Sequence, residues 1–173
     1  MYDSILLPVA PGSTANDAIP HATSLATQYG STVYVVSAID SVTRTLRGAQ
    51  AGSVAKRVET AAETRVEDVT AALSDAGIDT VGNVIRGDPL SVIENTITDV
   101  DADLVVMPSH TRTGLQRMLL GSVTEKVIRV SPVPVVTVPI PDGDEHEPST
   151  DDASTLWTDT ADEPATEETD DTA

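Results

Sequence analysis

The sequence predicts one doubly wound α/β domain, in which helices cover both faces of a five-stranded parallel sheet. Two observations predict this fold class. Five short runs rich in Val, Ile and Leu alternate along the chain with longer segments of helical periodicity. These runs are apolar on both faces, as strands are when helices cover both sides of a parallel sheet. With 173 residues, the chain has room for one such domain and an appendage.

The first half of the chain predicts two strands and two helices. In chain order, strand and helix alternate at residues 4–9, 14–29, 32–39 and 54–76. Thr14 and Asp17 have the spacing of a capping box at the start of the first helix. A linker of mixed polarity covers residues 40–52, and Gly77 follows the second helix as a C-terminal cap would.

The second half predicts three strands and two helices. The strands are placed at residues 81–86, 104–107 and 133–138, and the helices at residues 89 onward and 122–130. Asp88 is suited to the N-cap of the first of these helices, and Pro89 to its first turn. Asp101 and Asp103 precede the fourth strand, where we expect them to cap and solvate a turn rather than to perform acid–base chemistry.

The acidity of the chain lies mostly in its last 32 residues. Residues 142–173 hold 13 of the 28 acids and no Lys or Arg, whereas residues 1–141 hold 15 acids and 10 bases. We therefore predict a folded domain over residues 1–141 and a disordered acidic tail over residues 142–173. Leu156 and Trp157 are the strongly apolar pair of that tail, and they are either incidental or a short docking element.

Composition also excludes several classes of function. The chain has no cysteine, so disulfides, thiolate catalysis and Cys-based zinc sites are excluded. No apolar run reaches the roughly 18 residues needed to cross a bilayer, and no export signal is apparent, so we expect a soluble cytoplasmic protein. No basic face is available for nucleic acid. The acidic, lysine-poor surface is typical of proteins from salt-accumulating organisms, which gives the hypothesis of a halophilic protein.

The stretch at residues 107–125 reads M-P-S-H-T-R-T-G-L-Q-R-M-L-L-G-S-V-T-E and resembles the signature loop of the universal stress protein family. In that signature a strand ends in G-x-x-G, about nine residues follow, and G-S or G-T opens a helix. The resemblance implies the adenine nucleotide alpha hydrolase-like fold with strand order 3-2-1-4-5. The first and fourth strands would then be neighbours at the switch point, where open α/β sheets leave a ligand crevice.

The resemblance also implies a set of candidate nucleotide-binding positions around that crevice. They are Pro8, Ala10, Ala38, Met107, Pro108, Thr111, Arg112, Gly121, Ser122 and Val123. Three of them depart from the ATP-binding pattern, since Pro108 and Thr111 stand at the two glycine positions and Ala10 stands where an Asp is usual. ATP or another adenine nucleotide is therefore an open alternative rather than a definite cofactor.

The intact second half of the signature predicts an anion site at a helix N-terminus. There, Gly121, Ser122 and Val123 could hold phosphate oxygens, and Arg112 could reach a phosphate with its guanidinium. Alternatively, Ser122 and Glu125 form a capping box, and the serine satisfies the helix itself.

Catalysis and metal binding have little support in the sequence. Ser109 and His110 are chain neighbours without a nucleophile elbow, and three scattered histidines do not make a metal site. We expect no enzymatic activity beyond slow ATP hydrolysis.

The fifth strand predicts a homodimer, since the resemblance implies pairing through this edge. The edge residues are Val133, Val135, Val136 and Val138. Alternatively, Pro132, Pro134 and Pro139 protect the edge by removing donors. The leading hypothesis is a non-enzymatic stress-response regulator that acts through dimerisation and an unidentified protein partner, with a weakened or lost nucleotide site. The alternative is an ATP-binding switch that uses Gly121 and Ser122.

Overall fold

The structure is a computed structural model that describes residues 1–13, 16–40, 49–110 and 121–140. Strands and helices alternate through these residues as the sequence predicts. In chain order they are β1 Ser4–Pro8, α1 Ala18–Tyr29, β2 Thr32–Ile39, α2 Ala49–Asp75, β3 Thr80–Arg86, α3 Pro89–Asp99, β4 Leu104–His110, α4 Ser122–Val130 and β5 Val135–Ile140. The predicted tail at residues 142–173, with Leu156 and Trp157, lies outside the described residues.

The five strands form one sheet in the order β3-β2-β1-β4-β5, and every neighbouring pair is parallel. This confirms the predicted fold class and strand order. The order reverses between β1 and β4, which are adjacent in the sheet although two strands and three helices separate them in the chain. The carboxyl ends of β1 and β4 therefore flank the switch point.

Two layers of helices cover the sheet, because side chains alternate between its faces along each strand. Ile5 and Leu7 of β1 pack with buried residues of α1 and α2 in one cluster. Leu6 packs with buried residues of α3 and α4 in a second cluster on the opposite face. Neighbouring β1 residues thus belong to different cores, which explains why the strand is apolar on both sides.

Two predicted helix ends are confirmed. Asp88 is the N-cap of α3, its carboxylate accepts a hydrogen bond from the Ser91 backbone nitrogen at 3.0 Å, and Pro89 opens the helix. Gly77 ends α2 with φ +79°, a left-handed conformation that costs glycine little. The Ile78 nitrogen donates to the Leu73 carbonyl at 3.1 Å, which satisfies a carbonyl of the last turn.

Other element boundaries differ from the prediction. The first helix begins at Ala18 with Asp17 as its N-cap, so Asp17 is not the third helical residue that a capping box on Thr14 requires. The second helix begins at Ala49, which shortens the predicted linker, and β4 continues past Met107 to His110.

The last strand was also misplaced, because it runs Val135–Ile140 rather than over residues 133–138. Ser131 and Val133 make a local turn, in which the Ser131 hydroxyl donates to the Val133 carbonyl at 2.8 Å. Val133 therefore lies in the turn that precedes the strand.

Candidate functional site

At the switch point, where open α/β sheets leave a crevice, two prolines end the hydrogen-bonded ladder between β1 and β4. Only two residue pairs are in register between β1 and β4, and the last of them joins Leu6 to Val105. The Val9 nitrogen donates to β2, so the backbone groups of the even-numbered β1 residues face β4. The next two donors of the ladder would be the nitrogens of Pro8 and Pro108, and proline has none. Neither proline therefore offers an N–H at the switch point.

A tight turn follows β1 at the rim of this crevice. The Ser13 nitrogen donates to the Ala10 carbonyl at 3.2 Å, and Gly12 has φ +69°. Pro11 and Gly12 are the residues that a type II turn favours at its two central positions. Ala10 is half-buried at the first position of the turn, and its side chain is a methyl group. The position that would hold a carboxylate therefore supplies no ligand for a ribose or a metal.

A buried arginine holds the chain just beyond this turn. Arg65 of α2 donates from Nη1 to Oδ1 of Asn16 at 2.8 Å, and only 9% of the residue is exposed. Burial lowers the pKa of Arg65, and the charge of Asp68 opposes that effect. The contact fixes the start of α1 against α2, and nothing in the sequence pattern distinguished this arginine from a surface residue.

The N-terminus of α4 lies at the end of β4. Gly121 is the N-cap, and the first helical hydrogen bond runs from the Glu125 nitrogen to the Gly121 carbonyl at 2.9 Å. The predicted capping box is therefore wrong, because Ser122 is the first helical residue rather than the cap. The Thr124 hydroxyl donates to the Pro108 carbonyl at 3.4 Å and holds the first turn beside the strand end. The N–H groups of the residues just before Glu125 take no part in the hydrogen-bond ladder of the helix.

Glycine is not required at position 121 for packing. The nearest atom to a Cβ built there would be the Thr124 hydroxyl oxygen at 3.9 Å, which is ordinary contact. The backbone of Gly121 has φ −56°, which any residue adopts. A side chain at this position would therefore have room beside the helix N-terminus.

Two of the candidate positions in the sheet, Ala38 and Met107, lie on one face. Ala38 and Met107 are 2% and 3% exposed and belong to the same buried cluster beneath α3 and α4. Ser109 follows Met107 on this face, and its buried hydroxyl has no hydrogen-bond partner among the described residues. Val123 of α4 packs against the same cluster. Thr111 and Arg112 lie outside the described residues.

Asp103 stabilises the opposite end of the sheet. Its carboxylate accepts hydrogen bonds from the backbone nitrogens of Asp3 at 2.7 Å and Ser4 at 3.1 Å. The bonds from Ser4 and then Asp3 lower the pKa of Asp103 below its ordinary value. Asp103 therefore joins the start of β1 to the turn before β4.

Clusters of metal-binding side chains and membrane-spanning helices are absent from the part of the chain that the structure describes. No three His, Cys, Asp or Glu residues within it form a group that could hold a metal ion. His21 is exposed on α1, which is far from β4 in the sequence. Among the described helices, none is both long and apolar enough to span a bilayer.

The free edge of β5 keeps part of its hydrogen-bonding capacity. The Val105 nitrogen donates to the Pro134 carbonyl at 3.0 Å, so the even-numbered residues of β5 face β4. The backbone groups of Val135, Thr137 and Pro139 then point outward, and Pro139 lacks a donor there. Val138 is 5% exposed and belongs to the core, so its side chain is not a contact surface.

Comparison with known proteins gives consistent matches along the domain. The model of the universal stress protein family matches residues 1–139. Universal stress protein MJ0577 of Methanocaldococcus jannaschii is 28% identical over 154 residues, which cover 80% of this chain and 95% of that protein. The solved structure of MJ0577 has a TM-score of 0.71 at 29% identity and covers 82% of this chain and 99% of that one.

A further solved structure carries a ligand. It is the universal stress protein from Archaeoglobus fulgidus in complex with dAMP, with a TM-score of 0.56 at 21% identity. The match covers 79% of this chain and 98% of that one. At this identity the likeness concerns the fold alone.

Proposed function

The chain belongs to the universal stress protein family, and we propose that it is a non-enzymatic stress-response regulator whose nucleotide site is weakened. In this proposal the protein acts through homodimerisation and through binding of a protein partner. The observation that carries the proposal is Pro108 at the end of β4, where the family signature has a glycine. A nucleotide phosphate needs N–H donors at close range, and Pro108 offers only its carbonyl, which already accepts from Thr124.

Two further departures from the family signature also weaken the nucleotide site in this proposal. Ala10 places a methyl group at the β1 turn, and Thr111 adds a β-branched side chain at the second glycine position of the signature. If each lost interaction is worth about 1–3 kcal/mol, the three together lower the affinity for ATP by several orders of magnitude. A site built for micromolar binding would then bind in the millimolar range or more weakly.

The surroundings of Ser109 support a non-enzymatic role. The Ser109 hydroxyl is buried, and among the described residues it has no hydrogen-bond partner that could take its proton. Within those residues, Ser109 therefore has no adjacent base of the kind that acyl or phosphoryl transfer through a serine requires.

A nucleotide-dependent switch is the second candidate function. It is favoured by the start of α4, where Gly121 and the first helical residues Ser122 and Val123 lie next to the end of β4. The related structure with bound dAMP also supports it. Arg112 would then supply a cation to the phosphates. Replacement of Gly121 by Ala tests this candidate, because it adds a methyl group at the helix N-terminus where the phosphates would bind. The methyl group meets nothing closer than 3.9 Å, so the fold should stay intact.

The two candidates differ in what purified protein carries. The protein would be purified without added nucleotide and denatured, and the released small molecules identified by mass spectrometry. The proposal expects no stoichiometric adenine nucleotide. Release of ATP or AMP near one equivalent per chain, reduced by Gly121→Ala, would establish the switch instead.

A further inference from the structure

The outer strand β3 has one covered face and one bare face. On the α2 side, a Cβ at Gly82 would lie 2.6 Å from Val66, so helix and strand are in tight contact there. On the α3 side, Val81 and Ile85 are 43% and 38% exposed, although both are large apolar residues. Tyr34 of β2 pairs with Val81 and is only partly buried beside it. These three residues, the β3 strip, leave apolar surface in water on a face where α3 and α4 pack farther along the sheet.

The edge beside the β3 strip can accept another strand. The Val33 nitrogen donates to the Asp79 carbonyl, so the odd-numbered residues of β3 face β2. The backbone groups of Thr80, Gly82, Val84 and Arg86 therefore point away from the sheet. Residues 80–86 contain no proline, in contrast to β5, which carries Pro139 in its outward row.

Basic residues of α2 lie near the carboxyl end of this edge. Residues 41–57 hold four bases and no acid in a protein of net charge −18. The last of these bases, Lys56 and Arg57, lie on α2 within one turn of Glu59, and Glu59 pairs with Arg86 at the end of β3. These α2 bases offer partners of opposite charge to a segment that has acids but no bases.

The acidic tail is such a segment, and it is long enough to reach this edge. It follows β5, whose last residue Ile140 lies at the same end of the parallel sheet as Arg86. Four strand spacings separate β5 from β3, which is roughly 19 Å. The residues between Ile140 and Leu156 number 15 and can span about 50 Å when extended.

We propose that the tail of the same chain binds to the edge of β3, with Leu156 and Trp157 as its apolar contacts. Approaching from the carboxyl end, the tail runs antiparallel to β3, as in strand addition. With Asp152 opposite Arg86, the antiparallel register places Trp157 opposite Val81. Residues opposite each other point to the same face of a sheet, so Trp157 lies against the β3 strip. The acids at positions 151 and 152 then lie near the α2 bases, and the indole covers the apolar surface.

Fluorescence of the full-length protein tests this proposal, because Trp157 is its single tryptophan. The emission maximum is expected at a shorter wavelength than that of N-acetyltryptophanamide in the same buffer, and it should not change on dilution. The double variant Val81→Asp, Ile85→Asp should move the emission to that of the free compound. Both side chains are already exposed, so the fold should survive, as far-UV circular dichroism would check.

A matched control separates the β3 strip from exposed apolar residues elsewhere on the domain. Ile128 on α4 is 43% exposed, and Ile128→Asp should leave the emission unchanged. The tail variant Leu156→Ser should reproduce the red shift without altering the domain. Emission of the wild type equal to that of the free compound would overturn the proposal. So would a response to Ile128→Asp alone, or a dilution-dependent shift, which would indicate binding to a second copy.

Discussion

Among single residues, Asp103 makes the clearest contribution to the pH dependence of stability. Its pKa is lowered in the folded state by the hydrogen bonds from Ser4 and Asp3, so the carboxylate favours folding. This contribution is complete above the ordinary pKa of 3.8 and is lost as the pH falls through the lower folded pKa. Asp103→Asn should therefore be less stable than the wild type to urea at neutral pH, and the two proteins should converge in acid. A stability difference unchanged in acid would show that packing, not charge, is responsible.

The sequence predicted where several residues of the candidate site lie, but not their hydrogen bonding or their burial. The signature placed Pro108 and Gly121 near one crevice, and the Thr124 hydrogen bond to the Pro108 carbonyl holds the first turn of α4 beside β4. The sequence could not show that Pro8 and Pro108 end the same ladder, because that depends on the pairing register. Arg65 was missed for a related reason, since only the packing of α2 against the start of α1 buries it.

At the scale of elements, Gly82 shows how closely α2 packs on β3. A Cβ at this position would lie 2.6 Å from Val66 and 2.8 Å from the Thr70 hydroxyl, both on β-branched side chains that are stiff in a helix. Gly82→Ala should destabilise the protein by about 1–3 kcal/mol through overpacking. Chemical denaturation measures the change, and Gly121→Ala is the matched control with open space around its Cβ. Equal stability of the two variants would contradict the packing account.

The elements themselves were predictable where local chemistry decides them. Asp88 and Pro89 define the start of α3, and Gly77 the end of α2, because each satisfies helix-end groups on its own. The capping box predicted at Ser122 failed because Gly121 takes the cap and Thr124 bonds to the strand instead. The extension of β4 to His110 was missed because pairing with Ile140, a distant residue, extends the strand.

For the molecule as a whole, we propose a homodimer formed through the edge of β5. Thr137 is the central residue of the outward row, so two copies can exchange hydrogen bonds there in an antiparallel arrangement. Thr137→Pro removes this outward donor but no bond to β4, and it should convert the dimer to a monomer. Thr137→Ala keeps the donor and should remain dimeric. Light scattering in molar KCl, which screens the repulsion between acidic subunits, gives the masses. A monomeric wild type, or a dimeric Thr137→Pro variant, would exclude this interface.

The proposed weakening of the nucleotide site is tested most directly by calorimetric titration with ATP and magnesium. The wild type should bind with a dissociation constant of about 1 mM or weaker. The variant Ala10→Asp, Pro108→Gly, Thr111→Gly restores the three altered positions of the signature and should bind at least about tenfold more tightly, since two regained interactions of about 1–3 kcal/mol each suffice for that. Micromolar binding by the wild type, unimproved in the variant, would contradict the account.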